Sequence, residues 1–174
     1  MALRQILIEP NEILRQKSHE VESVTKDIQI LMDDMLETMY AAPGIGLAAI
    51  QIGIPKRIIV LDIEQKEGKK NPLFFINPEI IKKSKNLSTY EEGCLSVPGQ
   101  FAEIDRPEKC HIKYLDYYGQ SKELKVEGML ATCIQHEMDH LEGILFIDYL
   151  SKLKKSMIVK KLSKQKKTIE RIVV

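Results

Sequence analysis

QHEMDHLEG, residues 135–143, places two histidines, three acids and a closing glycine within nine positions, inside a longer stretch from Met129 to Glu142 that is bounded by Gly128 and Gly143. The second glycine is a natural helix stop. Spaced at about 100° per residue, the stretch predicts a helix with three stripes. Thr132, Gln135, Asp139 and Glu142 form a polar one, and Leu130, Ile134, Met138 and Leu141 an apolar one. Met129, Cys133, His136, Glu137 and His140 fall together on the third. The histidines are thus set apart from the face on which solvated charge gathers.

His136 and His140 lie one helical turn apart, about 6 Å along the axis, so their imidazoles can converge on one cation, with Glu137 beside them to handle a proton. A buried, hydrogen-bonded helix histidine is the bland alternative for either. A metal site needs a third protein ligand, and its identity separates reaction classes. In the HExxHxxGxxH pattern Gly143 fits but the last position is Phe146, which cannot ligate. Downstream carboxylates are limited to Glu142, on the polar stripe, Asp148 and Glu170, the last inside a basic tail. Cys133 starts about 10 Å along the axis from His140, too far for a neighbouring ligand, and reads as packing or pocket wall. Cys94, in the glycine-preceded bend of EGCLS (92–96), is either an ordinary buried cysteine or a ligand arriving from another element. A Cys/His/His set leaves one position open for water.

Around this centre the chain has 174 residues, 44% hydrophobic and 29% charged, which fits one domain with a sizeable core. No run approaches the ~20 apolar residues of a membrane helix, and the opening MALRQILIEPNEILRQ lacks the apolar core of a secretion signal. A cytoplasmic location is expected. Three scattered cysteines, Cys94, Cys110 and Cys133, argue against a disulfide framework.

From Thr25, an expected N-cap, the residues Ile28, Leu31, Met32, Met35, Leu36 and Met39 predict an amphipathic helix ending before AAPG. RIIVLDI (57–63) and LFFINPEI (73–80) read as strands, and CHIKYLDY with ELKV as a hairpin around YGQSK. AAPGIGLAAIQIG (41–53) and EEGCLSVPG (91–99) read as irregular. The mixture, with little βαβ alternation, indicates an α+β fold.

Three motifs in order, GIGLAAIQ (44–51), EGCLS (92–96) and QHEMDHLEG (135–143), closely resemble those of the peptide deformylases, and the resemblance spans essentially the whole chain. It implies a single domain with short antiparallel β-sheets packed around a central HExxH helix, with N-terminal and C-terminal helices. It also implies that Cys94, His136 and His140 hold a divalent metal, usually ferrous iron, with zinc, nickel or cobalt able to replace it. The implied reaction is hydrolysis of the N-formyl group from nascent peptides that begin with formylmethionine. Glu137 is then the proton carrier, and the Gln51 amide and the Leu95 backbone N–H are the oxyanion donors. Main-chain groups of Ile45, Gly46 and Gly93 are expected to pair with the peptide, Gly44 and Gly46 letting backbone approach the substrate. Met129 and Cys133 are candidates for the wall of the methionine pocket. Glu92 is expected to be buried beside the site and to need a cation, for which Arg106 is the candidate. After SVPGQ, where many relatives place an arginine, this chain has Phe101, so contacts to later substrate residues are expected to differ.

His19, His111 and Cys110 lie in no motif and read as structural. Residues 151–174 hold nine Lys/Arg and one Glu, against 17 basic and 24 acidic residues upstream, so the tail is strongly positive and the body negative. From Ser151 a helix is expected, docking through Leu153, Met157 and Leu162 and offering lysines to an anionic partner; in related deformylases this helix contacts the ribosome. A monomer is expected. Two other readings compete: a general metallopeptidase, disfavoured by Phe146, and a catalytically silent ribosome-associated binding protein, disfavoured by intact Glu137 and Gln51.

Overall fold

The computed structural model describes residues 2–65 and 69–172, with side chains described through residue 166. The helices and strands, in chain order, are α1 (Lys26–Ala41), β1 (Gly46–Ala48), β2 (Ile58–Leu61), β3 (Leu73–Lys83), β4 (Leu87–Cys94), β5 (Val97–Pro107), β6 (Lys109–Leu115), β7 (Ser121–Glu127), α2 (Gly128–Leu141) and α3 (Lys152–Ile172). The strands form a five-stranded antiparallel sheet in the order β1-β2-β3-β6-β7 and a separate two-stranded ribbon, β4-β5. This is a single-domain α+β architecture, as expected.

Thr25 caps α1 through its hydroxyl, which accepts from the Ile28 N–H. The apolar stripe of α1, with Met32, Met35 and Met39, packs on Leu47, Ile58, Val60 and Ile76. Alternate positions of β2 and β3, Ile59, Leu61 and Phe75, face the other way and pack with Ala131, Ile134 and Leu141 of α2. Because side chains alternate along a strand, IIVL of β2 feeds both layers, which explains an unbroken apolar run. The five-stranded sheet therefore lies between α1 and α2.

On its far side α2 meets the ribbon β4-β5. A helix covered on both sides keeps little of its surface wet, and this corrects the polar stripe read from the sequence, of which Glu142 at the helix end is exposed. Thr132 and Gln135 are buried; the Gln135 amide donates to the Pro107 and Ala131 carbonyls, while Asp139 is tied to an arginine. Gly143 ends the helix at φ 74°, and a Cβ there would collide with the Arg15 carbonyl.

Three further expectations are corrected. EEGCLSVPG is not irregular: it spans the end of β4, a two-residue turn and the start of β5. Its outer face is polar and it carries Gly93, Pro98 and Gly99, so the alternation that marks a half-buried strand is faint. Within 41–53, Gly46–Ala48 pairs with β2 and Ala49–Ile52 forms a 3-10 turn. α3 does dock on the body, but through Ile158, Val159 and Leu162, beside Leu14, Val97, Ile104 and Phe146. Leu153 and Met157, expected on the docked edge, are 72% and 63% exposed. Cys110 is buried and His111 lies in β6, and all three cysteines are free. Among the described residues, no helix is long and apolar enough to cross a membrane.

Candidate metal centre

Side-chain alternation puts Glu92 and Cys94 of β4 on one face of the ribbon, and that face looks at α2. His136 and His140, one turn apart, look back. The Cys94 sulfur lies 3.2 Å from His140 Nε2, and the ligand atoms of Cys94, His136 and His140 all lie within 4.8 Å of one another. Two elements distant in sequence thus deliver three donors to one point.

The surroundings suit a cation. His136 Nδ1 is 2.8 Å from the Glu92 carboxylate, which leaves Nε2 of that ring for the shared point, the usual arrangement of a ligating imidazole. Burial works against a charged His136, but Cys94 and Glu92 outweigh it and raise its pKa well above the ordinary histidine value. His140, 1% exposed, is held neutral by burial and by the positive neighbours His136, Arg15 and Arg106. Sulfur and two imidazoles are the donor set of a tight divalent site, and two of the three donors, Cys94 and His136, border a cavity.

That cavity has a volume of about 450 Å³ and is bordered by Gly44–Gly46, Glu91–Leu95, Gly99–Phe101 and the α2 residues Met129, Thr132, Cys133, His136 and Glu137. Met129 and Cys133 stand on its helix side, with Ile45, Gly46 and Gly93 on its strand side. Gln51, 1% exposed, lies at its base: its amide oxygen accepts from the Ala48 N–H at 2.8 Å, which directs the NH2 group toward Ser96 Oγ at 3.1 Å and Cys94 Sγ at 3.5 Å. The amide is therefore oriented toward the sulfur by the backbone. Phe101 is largely exposed at the rim, its ring over Gly93.

Glu137 is 5% exposed, and its Oε2 has no hydrogen-bond partner among the described residues. Burial pushes its carboxyl up to about 7; His136 and Arg106 pull the other way, and Glu92 and Asp139 add to the rise. Such a group stands ready to exchange a proton near neutrality. Gly46 has a steric reason of its own: a Cβ there would lie 2.5 Å from Glu137 Oε1 and 2.7 Å from Leu61 Cδ2, so the glycine makes room for the carboxylate.

The family model described as polypeptide deformylase matches residues 3–156. This chain belongs to the polypeptide deformylase family. A peptide deformylase of Pelagibacter ubique is 68% identical over 166 residues, covering 95% of this chain and 96% of the relative. The crystal structure of the peptide deformylase from Ehrlichia chaffeensis superposes with a TM-score of 0.91 at 42% identity, covering 96% of this chain and 98% of that one. A structure of the Ehrlichia chaffeensis peptide deformylase in complex with actinonin gives 0.89 at 44% identity, covering 95% and 98%.

Behind the centre of this deformylase lies the expected ion pair. Arg106 forks onto Glu92, with Nε to Oε1 at 2.5 Å and Nη2 to Oε2 at 3.0 Å. Its third arm, Nη1, reaches Asp139 at 2.8 Å, and the same Asp139 oxygen accepts from the Tyr149 hydroxyl at 2.8 Å. Ser96, Asp139 and Tyr149 were given no role from the sequence. Asp139 carried a signal, standing i+3 from His136, but it was assigned to the polar stripe; Ser96 closes the motif EGCLS without a side-chain role read for it; Tyr149 carried no signal.

Proposed function

We propose that the protein hydrolyses the N-formyl group of nascent peptides that begin with formylmethionine, releasing formate. The observation that carries this reading is the convergence of Cys94, His136 and His140 beside the buried Glu137 and the oriented Gln51 amide. Cys94, His136 and His140 would hold one divalent ion. When bound, that ion supplies electrophilic activation of water and of the formyl carbonyl.

Glu137 takes the proton of the attacking water and delivers one to the leaving amine. The Gln51 Nε2 and the Leu95 backbone N–H receive the negative charge that develops on the formyl oxygen, and donors so aimed are worth roughly 3 kcal/mol each. Backbone groups of Ile45, Gly46 and Gly93 align the peptide as an added strand. Met129 and Cys133 line the apolar side of the cavity against the methionine side chain. Cys133 suits a wall better than a nucleophile, since burial, aided by Glu137 and Glu92, raises its thiol to about 12.

Ferrous iron is the resident ion in this reading, with zinc, nickel or cobalt as substitutes. Iron beside a thiolate makes activity decay in air and persist under anaerobic handling; equal persistence in both would argue for another ion. In this reading the reaction takes place in the cytoplasm and the working unit is a monomer. Residues 1–174 act as one deformylase domain in which 151–174 add a basic surface. Lysines on α3 offer that surface to ribosomal RNA, whose phosphates attract such charge. Reversing Lys160 and Lys161, both exposed, to glutamate tests this without uncovering the core under Leu162: weakened ribosome pelleting at low salt is expected, and unchanged pelleting would refute it.

The deciding assay compares formate release from formyl-Met-Ala-Ser with cleavage of unblocked Met-Ala-Ser. Formate from the first and no hydrolysis of the second is expected. Cleavage of the unblocked peptide would indicate a general metallopeptidase, and neither product a silent binding protein.

A further inference from the structure

The three donors of the metal centre sit on two bodies, Cys94 on the ribbon and the histidines on α2, so their spacing depends on whatever fixes ribbon to helix. A closed ring of side chains joins the two at that place. It runs from His136 on α2 to Glu92 on β4 at 2.8 Å, to Arg106 on β5 at 2.5 and 3.0 Å, and back to Asp139 on α2 at 2.8 Å. Both ends of the ring lie three residues apart on one helix face. Arg106 and Glu92 are nearly fully buried, and burial opposes the guanidinium charge, yet Glu92 and Asp139 more than compensate and raise its pKa above the ordinary value.

Tyr149 closes the ring from outside. Its hydroxyl donates to the Asp139 oxygen that Arg106 also uses, and its ring lies 5.1 Å from the guanidinium carbon. Arg106 is thereby held at three points, the Glu92 carboxylate, the Asp139 carboxylate and the Tyr149 ring, which fixes the plane of the fork. Glu92 Oε2 receives both the fork and His136 Nδ1, so turning the fork turns the imidazole.

We propose that Asp139 and Tyr149 are positioning residues for the metal centre: through Arg106 and Glu92 they lock the ribbon against α2, setting the gap that Cys94 and the two histidines must span. The proposal rests on the metal reading above. Neither residue borders the cavity, so neither has a direct part in the reaction. Partners behind a ligating histidine typically contribute about 10- to 100-fold in metal affinity.

The test uses the full chain loaded with Co2+, following release to excess chelator and the visible spectrum of the cobalt–thiolate centre, alongside thermal unfolding of the metal-free protein. Tyr149→Phe keeps the ring over Arg106 and removes one hydroxyl from a residue that is 52% exposed, so folding is preserved. It is expected to speed cobalt release several-fold and shift the spectrum while the metal-free melting temperature barely moves. Asp139→Asn, which weakens the ion pair as well, is expected to speed release ten-fold or more, and Asp139→Glu to recover part of the loss. Should Asp139→Asn fail to fold, Tyr149→Phe decides alone. Release at the wild-type rate with an unchanged spectrum would overturn the proposal by itself. Wild-type protein that takes up no cobalt would overturn the metal reading and this proposal with it.

Discussion

Gly46 of β1 stands where any side chain would strike Glu137 of α2, since a Cβ there falls 2.5 Å from the carboxylate oxygen. The smallest substitution, Gly46→Ala, must therefore displace Glu137 or shift β1. A misplacement of about 1 Å at a reacting group costs on the order of 100-fold in rate. We expect kcat for formate release to fall by about that factor, with bound metal at the wild-type level. A wild-type kcat would show that Glu137 does not need its present position.

The Gln51 amide is aimed by the Ala48 N–H, which its oxygen accepts, and by Ser96 Oγ, to which its NH2 group donates. Gln51→Ala removes a donor directed at the developing oxyanion, and kcat should drop roughly 100- to 1,000-fold. KM for formyl-Met-Ala-Ser should change little, because the interaction strengthens only as charge develops. A loss confined to KM would assign Gln51 to substrate binding.

Asp148 ties the C-terminal helix to the body. Burial opposes its ionisation, but Lys155 at 2.6 Å, the Leu145 N–H at 2.9 Å and Arg15 at 2.6 Å prevail and hold its carboxyl below the usual aspartate value. A depressed carboxylate stabilises the fold above its unfolded-state pKa and loses that contribution as pH falls through the folded-state value. Urea unfolding from pH 7 down to pH 3 should show stability declining on the acid side. Asp148→Asn should lower stability at pH 7 by about 2 kcal/mol and flatten that decline. An unchanged slope would remove Asp148 from the linkage.

Phe146 occupies the place where a longer zinc motif has its third histidine, and here it is core. It is buried among Leu14, Val97, Ile104 and Leu162, with its ring stacked 6.2 Å from that of His136. Phe146→Ala should cost about 3–5 kcal/mol of stability, read from the urea midpoint at constant slope. A cost below about 1 kcal/mol would mean that the site collapses around the cavity.

Strong periodicity made much of this legible. The stripes of α1 and α2, the apolar β2 and β3 and the β6-β7 hairpin follow from spacing alone, as does the pairing of His136 with His140. The ribbon β4-β5 did not, because its exposed face is largely polar and its strands carry Gly93, Pro98 and Gly99 beside the turn, so Glu92 and Cys94 were not placed on a shared strand face. The polar stripe of α2 misled for a related reason: Gln135 is satisfied by the Pro107 and Ala131 carbonyls and Asp139 by Arg106 and Tyr149, and helical spacing carries no information about what covers a face. For α3, Leu153 and Met157 fit the period as well as Ile158 and Val159 do, and tertiary packing chose between them.

The most direct measurement is divalent-ion titration of the metal-free protein beside Cys94→Ala, with formate release followed on the same samples. We predict one ion per wild-type chain together with formate release, and for Cys94→Ala loss of both at ion concentrations that saturate the wild type. Equal ion affinity in the two proteins, or full formate release by the variant, would contradict a centre built from one sulfur and two imidazoles.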